Sequence, residues 1–178
     1  MPTTPQLQVF EQLMLPHLDA AYNLARWLTR NDQDAEDVVQ DAYLRALRFF
    51  GSFDGSDGKA WLLAIVRNTF FTRRSRESRE PAVAFDESIH AVGETAGAEA
   101  AMIRESDRAD LRGCLDGLPA EYREILVMRE LEELSYKEIA YVASLPIGTV
   151  MSRLSRARRR LQECMARSRD AIGKGSRP

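Results

Sequence analysis

Three groups of side chains in this 178-residue sequence are spaced for electrostatic recognition, not for making and breaking bonds. In the first, Arg153, Arg156, Arg158, Arg159 and Arg160 alternate with Ser152 and Ser155. They interrupt an apolar series, Val150, Leu154, Ala157 and Leu161, at steps of four, three and four. That series predicts a helix with one buried stripe, whose other faces carry guanidinium and hydroxyl groups able to reach base edges and phosphates. In the second, Asp34, Asp37 and Asp41 stand at i, i+3 and i+7, one face of a helix, flanked by Glu36 and Gln40. Such a face suits a basic partner helix. In the third, Asn68, with an amide that reads base edges, sits among Arg67, Arg73, Arg74 and Arg76, which suit phosphates. No nucleophile–base pair, Gly-rich phosphate loop or metal-ligand cluster is visible. The expectation is a binding protein with no catalytic chemistry and no cofactor.

The net charge of −2, from 25 basic and 27 acidic residues, hides a strong segregation. Residues 59–79 carry six basic side chains against one acidic, and residues 135–178 carry ten against three. Each block follows an acidic stretch. Residues 80–110 hold eight acidic and two basic side chains. Two separate basic blocks point to two places that meet polyanion. The two cysteines, Cys114 and Cys164, are too few for a disulfide framework. With His17 and His90 they form no zinc spacing, so a reducing, cytoplasmic setting is the default. No apolar run reaches the ~18 residues of a membrane span, and the start of the chain does not look like a secretion signal.

The elements that must position these groups are helices, for no alternating strand pattern occurs. Leu7, Phe10, Met14, Leu18, Ala21, Leu24, Ala25 and Leu28 form one stripe, broken or kinked near Pro16. A second helix starts in an Asp-rich turn, where Asp32 or Asp34 is placed to cap it. It buries Ala35, Val38, Val39, Ala42, Ala46, Leu47 and Phe50. Residues 51–58, with three glycines in eight positions, form a loop. A third helix follows from about Lys59 into the Arg73–Arg74 region. Trp61 on it is either a core aromatic or a base-stacking one. Of the adjacent pair Phe70 and Phe71, one should be core and the other partly exposed. Residues 80–105, acidic and rich in Ala, Glu and Gly, read as a flexible linker. Helical pattern returns at Met102–Leu115 and again around Tyr122–Met128. Ser135–Glu138 is a capping box, Ser144-Leu145-Pro146 a turn, and the arginine-bearing helix starts near Gly148–Thr149. Helix, short turn, helix with outward arginines is the geometry of a major-groove reader. After Met165 the chain is polar.

At this point several motifs together resemble a known family. Residues 34–46 (DAEDVVQDAYLRA) and 60–70 (AWLLAIVRNTF) resemble region 2 of bacterial sigma factors. Residues 118–124 (LPAEYRE), 135–140 (SYKEIA) and 146–161 (PIGTVMSRLSRARRRL) resemble region 4. The two regions joined by a short linker are the layout of the extracytoplasmic-function subfamily. The resemblance implies an all-α fold of two small helical domains. Residues 7–79 would be region 2, 80–105 the linker, 106–165 the region 4 helix-turn-helix, and 166–178 a polar tail.

It also implies roles. Asp34, Glu36, Asp37, Gln40 and Asp41 would dock on the clamp helices of core RNA polymerase, although Asp34 also favours the helix dipole in any case. Phe53, Asp54, Gly55, Ser56, Trp61, Arg67, Asn68, Arg73, Arg74 and Arg76 would meet the −10 element, with a flipped base held by the loop. Thr149, Met151, Ser152, Arg153, Ser155, Arg156, Arg158 and Arg159 would meet the −35 element. Two departures from the family stand out. Met151 stands where relatives often have Arg or Lys, so a guanine contact is either missing or replaced by apolar contact with a thymine methyl. Ser144 stands where the turn often has Gly, and Ser tolerates positive φ poorly. The implied partners are core RNA polymerase, promoter DNA and an anti-sigma factor. The rival readings are an ordinary helix-turn-helix regulator that binds duplex DNA without polymerase, and a sigma-like decoy for an anti-sigma factor. The motifs at 34–46 and 60–76 oppose the first, and Asn68 with the arginines of both blocks opposes the second.

Overall fold

The structure, a computed structural model, describes residues 4–79 and 98–174. Every regular element among them is helical. Helix α1 (Thr4–Met14) leads through a tight turn at Leu15–His17 into α2 (Leu18–Thr29), so the break falls at Pro16, as its ring requires. Then follow α3 (Asp32–Phe49), a short turn at Phe50–Ser52, and α4 (Gly58–Glu77). The second half holds α5 (Ala98–Asp116), α6 (Ala120–Leu126) with a wide turn at Val127–Leu131, α7 (Tyr136–Ala143) and α8 (Ile147–Lys174). Helix α5 begins at Ala98, so its first two turns reach into the stretch expected to be linker; residues 80–97 lie outside the described residues. No described helix is long and apolar enough to cross a membrane.

The first group packs α2, α3 and α4 on one another, with Leu24, Leu28, Val38, Leu62, Leu63 and Val66 at the centre. Alanines 21, 25, 35, 42 and 46 are buried where the helices cross, and their small side chains let the backbones approach. Phe10 and Met14 of α1 close the end of this core. Tyr43 ties it shut: its hydroxyl donates to the Met14 carbonyl at 2.8 Å. Burial pushes the Tyr43 pKa up to about 12. The cap of α3 is Asn31, whose Oδ1 accepts from the Asp34 amide at 3.0 Å. Asp32 and Asp34, expected to cap, lie inside the first turn, where they favour the dipole. Asp57 caps α4 by accepting from the Ala60 amide at 2.9 Å.

The second group buries Ile125, Met128, Ile139, Val142, Val150 and Leu154 between α6, α7 and α8. The expected capping box is present: Ser135 Oγ accepts from the Glu138 amide at 3.2 Å while Glu138 accepts from the Ser135 amide. Those bonds hold the Glu138 carboxyl below its ordinary range. Ser144 ends α7 in the left-handed region at φ +53°, the conformation glycine usually supplies. Cys114 of α5 and Cys164 of α8 form a disulfide, with Cα atoms 5.8 Å apart. This corrects the reading of the cysteines by number: two are too few for a framework, but the fold brings residues 50 apart into one bridge.

The two groups close on each other, α4 against α7 and α2 against α6. Polar links cross the seam at several points, among them Arg30 Nη1 donating to the Asp116 carbonyl at 3.4 Å. Arg67 donates to Glu124 through Nε at 2.7 Å and Nη2 at 3.1 Å. Lys59 pairs with the Glu132 carboxylate at 3.1 Å and donates to its carbonyl at 2.8 Å. Asn23 donates to Glu132 Oε1 at 3.2 Å.

Candidate nucleic-acid and polymerase interfaces

The outer face of α3 carries Asp34, Glu36 and Gln40 exposed, with Asp37 and Asp41 half-buried at its margin. Asp41 is not left alone. Its Oδ2 lies 3.5 Å from Arg73 Nε, so the acidic face and the basic end of α4 are joined by an ion pair. Leu44, one turn beyond Gln40 and Asp41, is 60% exposed. Leu44 lies off the buried stripe of Ala35, Val38, Val39, Ala42 and Ala46, so the helix period already leaves it outside the core.

The loop after α3 is built around Asp54. Its carboxylate accepts from the Ser56 amide at 2.9 Å and from the Ser56 hydroxyl at 2.6 Å, and those bonds hold it below the usual carboxylate range. Gly55 between them has φ +82°, which a residue with a side chain would adopt at a cost. Phe53 is half-buried, stacked on Phe50 at 5.9 Å and tilted against Trp61 at 5.1 Å. Trp61 also meets Phe50 edge-on at 6.5 Å. Trp61 is partly exposed and ties the loop to α4 through this aromatic cluster.

Along α4, Asn68 is exposed and opens onto a shallow groove shared with Phe71, Thr72, Ser75, Arg76 and Arg79. Phe70 is core and Phe71 partly exposed, as expected of the pair. Phe71, Thr72, Ser75 and Arg79 were absent from the sequence-derived site; a helical wheel from Asn68 through Phe71, Thr72 and Ser75 would have found three of them. Arg74 and Arg76 are exposed, but Arg67 is not available: its guanidinium lies against Glu124 and over the Phe71 ring at 4.6 Å. Glu124 has no solvent exposure, and burial pushes its carboxyl above the ordinary range although Arg67 and Arg153 pull it down.

On α8 the division of faces is clean. Val150, Leu154 and Ala157 are buried, while Met151, Ser152, Ser155, Arg156, Arg158 and Arg159 are exposed, and Thr149 and Arg153 are intermediate. Met151 is 52% exposed, an apolar tip at the start of the helix. Arg156 makes no ion pair among the described residues. Arg158 pairs with Glu130, whose carboxylate accepts from its Nε at 3.0 Å, a partly exposed ion pair. Arg159 has only a 4.0 Å contact with Glu163 one turn on. Arg160 covers the Tyr122 ring at 4.9 Å, which fixes α8 on α6.

A helical group with an acidic face and a polar groove, followed by a helix-turn-helix with exposed arginines, is suited to binding partners and not to catalysis, and the class of protein comes from two family matches. "Sigma-70 region 2" matches residues 13–80 and "Sigma-70, region 4" matches residues 108–161. The RNA polymerase sigma-H factor of Pseudomonas aeruginosa is 32% identical over 167 residues, covering 89% of this chain and 86% of that protein. The ECF RNA polymerase sigma factor SigE of Mycolicibacterium smegmatis is 33% identical over 159 residues, covering 89% of this chain and 62% of the relative. Among solved structures, the sigma factor RpoE of Bartonella quintana in complex with the anti-sigma factor NepR superposes with a TM-score of 0.74. That match has 34% identity and covers 89% of this chain and 98% of that one. CnrH in complex with the cytosolic domain of CnrY gives a TM-score of 0.64 at 26% identity, over 90% and 89% of the two chains. The chain belongs to the extracytoplasmic-function (ECF) RNA polymerase sigma factors.

Proposed function

We propose that this protein brings core RNA polymerase to promoters by dividing three tasks between its helical groups. Residues 7–79 act as region 2. Asp37, Gln40 and Asp41, with Leu44 beside them, dock on a basic helical partner of the polymerase, assisted by Asp34 and Glu36. The loop Phe53–Ser56 and the α4 groove at Asn68 receive the −10 strand once it is unpaired, with Arg73, Arg74 and Arg76 on its phosphates. Residues 106–165 act as region 4, with Met151, Ser152, Ser155 and Arg156 at base edges of the −35 duplex and Thr149, Arg153 and Arg159 at its backbone. Arg158 pairs with Glu130.

The observation that carries this reading is the separation of faces on α8: a buried stripe of Val150, Leu154 and Ala157 behind the exposed side chains of Met151, Ser152, Ser155, Arg156 and Arg159. Similarity to a sigma factor solved with its anti-sigma factor supports regulation of the same kind, by a protein that covers these surfaces. The work is done in the cytoplasm, where polymerase and promoter are. Run-off transcription with purified core polymerase tests the proposal: transcripts from discrete start sites must depend on added protein, and none above the core-only level contradicts it.

A further inference from the structure

The disulfide between Cys114 and Cys164 is the chief fastening of α5 on α8. From Glu105 to Gly113 every residue of α5 is exposed apart from the half-buried Asp110. Cys114 and Leu115 are buried at its end. No ion pair among the described residues holds residues 105–116, and Gly113 weakens the last turns of the helix. The Asp116 carbonyl accepts from Arg123 at 2.9 Å and from Arg30 at 3.4 Å, which pins the tip of α5 alone. A helix of 19 residues with so little apolar contact is marginal by itself. The bond to Cys164 therefore decides how firmly α5 sits on α8.

A permanent bridge is out of place in the cytoplasmic setting proposed above, where reductants keep thiols free and disulfides are mostly transient. The two sulfurs also differ in access: Cys164 is half-buried, whereas Cys114 is 4% exposed. We propose that Cys114 and Cys164 are a peroxide-responsive thiol pair that staples α5 to α8 when oxidised and releases it when reduced. In the reduced chain the Cys164 thiolate attacks hydrogen peroxide. The O–O bond breaks, giving a sulfenic acid and hydroxide. The Cys114 thiol then attacks the sulfenic sulfur; the S–S bond forms and the hydroxyl leaves as water with the thiol's proton. Two electrons pass from the two sulfurs to the peroxide. A dithiol reductant reverses the change by attacking Cys164 through a mixed disulfide, and it departs as its own disulfide with both protein thiols restored. Cys164 lies eight residues beyond Arg156, about 12 Å along α8, so the staple leaves the exposed side chains from Met151 to Arg156 uncovered. The proposal rests on the reading above for its cytoplasmic setting and on none of the DNA assignments.

The test uses the purified full-length chain, held in dithiothreitol or, after its removal, in hydrogen peroxide. Alkylation and mass spectrometry should count two free thiols in the first state and none in the second, with both thiols regained on re-reduction. Differential scanning calorimetry should place Tm about 5–15 °C higher in the oxidised chain, as closing a long loop does. Amide hydrogen exchange should quicken on reduction at residues 105–116 and change little at residues 151–159. In Cys114→Ala, dimedone should trap a sulfenic acid at Cys164 after peroxide; in Cys164→Ala, Cys114 should stay unlabelled. Both variants should keep the Tm of the reduced chain in either solution. If Cys114→Ala loses helicity by circular dichroism, Cys164→Ala and the two states of the wild type decide. Thiols that survive peroxide, a bridge that excess dithiothreitol does not open, or the same Tm in both states overturns the proposal. So does dimedone label on Cys114 and not on Cys164, or bridging between chains seen as a dimer on a non-reducing gel. None of these readouts uses DNA or polymerase, so their failure and that of the run-off experiment are distinguishable.

Discussion

The turn of the helix-turn-helix offers a change whose sign depends on one backbone angle. Ser144 holds φ +53° and ψ +47°, is exposed, and ends α7 with its amide 3.3 Å from the Tyr141 carbonyl; the next amide, of Leu145, reaches the Ala140 carbonyl at 3.0 Å. A side chain in this conformation costs about 1–2 kcal/mol through the clash of Cβ with the following carbonyl. Ser144→Gly removes that cost and returns about 0.4–1 kcal/mol by loosening the unfolded chain. The balance is a stabilisation of about 0.5–1 kcal/mol, or a rise in Tm of about 1–4 °C for a chain of this length. Ser144→Val should lose more than Ser144→Ala, because a β-branched residue resists positive φ most strongly. Differential scanning calorimetry of the three variants reads the series. If residue 144 instead continued α7 as ordinary helix, glycine would destabilise by up to about 1 kcal/mol. A fall in Tm for Ser144→Gly therefore refutes the left-handed cap.

Arg156→Ala should weaken binding to a −35 duplex by about 1–3 kcal/mol and relax sequence preference, since this side chain is exposed and makes no ion pair among the described residues; fluorescence anisotropy on matched and mutated duplexes measures both. Reversing Asp37 and Asp41 to Lys should abolish association with core polymerase by gel filtration while leaving helicity intact, because the Asp41–Arg73 pair lost with it is partly exposed and contributes under about 1 kcal/mol. Tyr43 should ionise near pH 12 in an ultraviolet difference titration, and that step should vanish in Tyr43→Phe. Its pKa is raised in the folded state, so its contribution to stability is complete below pH 10 and is lost as pH climbs from there through 12.

What was legible in the sequence follows the range of the interaction. Helices α2, α3, α4 and α8 were visible because their apolar stripes repeat within a few residues, and the Ser135 capping box because it spans four. Pro16 marked its own break. Ser144 announced strain by occupying a place where glycine would rest. The cap of α3 was misplaced by one to three residues: Asn31, Asp32 and Asp34 have equivalent side-chain chemistry, and only backbone geometry selects among them. The packing of Trp61 against Phe50 and Phe53 depends on the path of the loop, which no local pattern gives. Contacts distant in sequence were invisible in principle. Nothing local ties Arg67 to Glu124, Arg158 to Glu130 or Cys114 to Cys164. Arg67 therefore looked like a free phosphate ligand, and the cysteines looked unrelated.

The central claim is that this protein makes core polymerase open a specific duplex, and permanganate footprinting reads that step on a promoter with thymines around its −10 element. Thymines there should become reactive only when core polymerase and the protein are both present, and Asn68→Ala should slow their appearance while leaving the closed complex nearly intact. Sequence-specific binding of the protein alone to duplex DNA, with no thymine made reactive by adding core polymerase, would contradict the account.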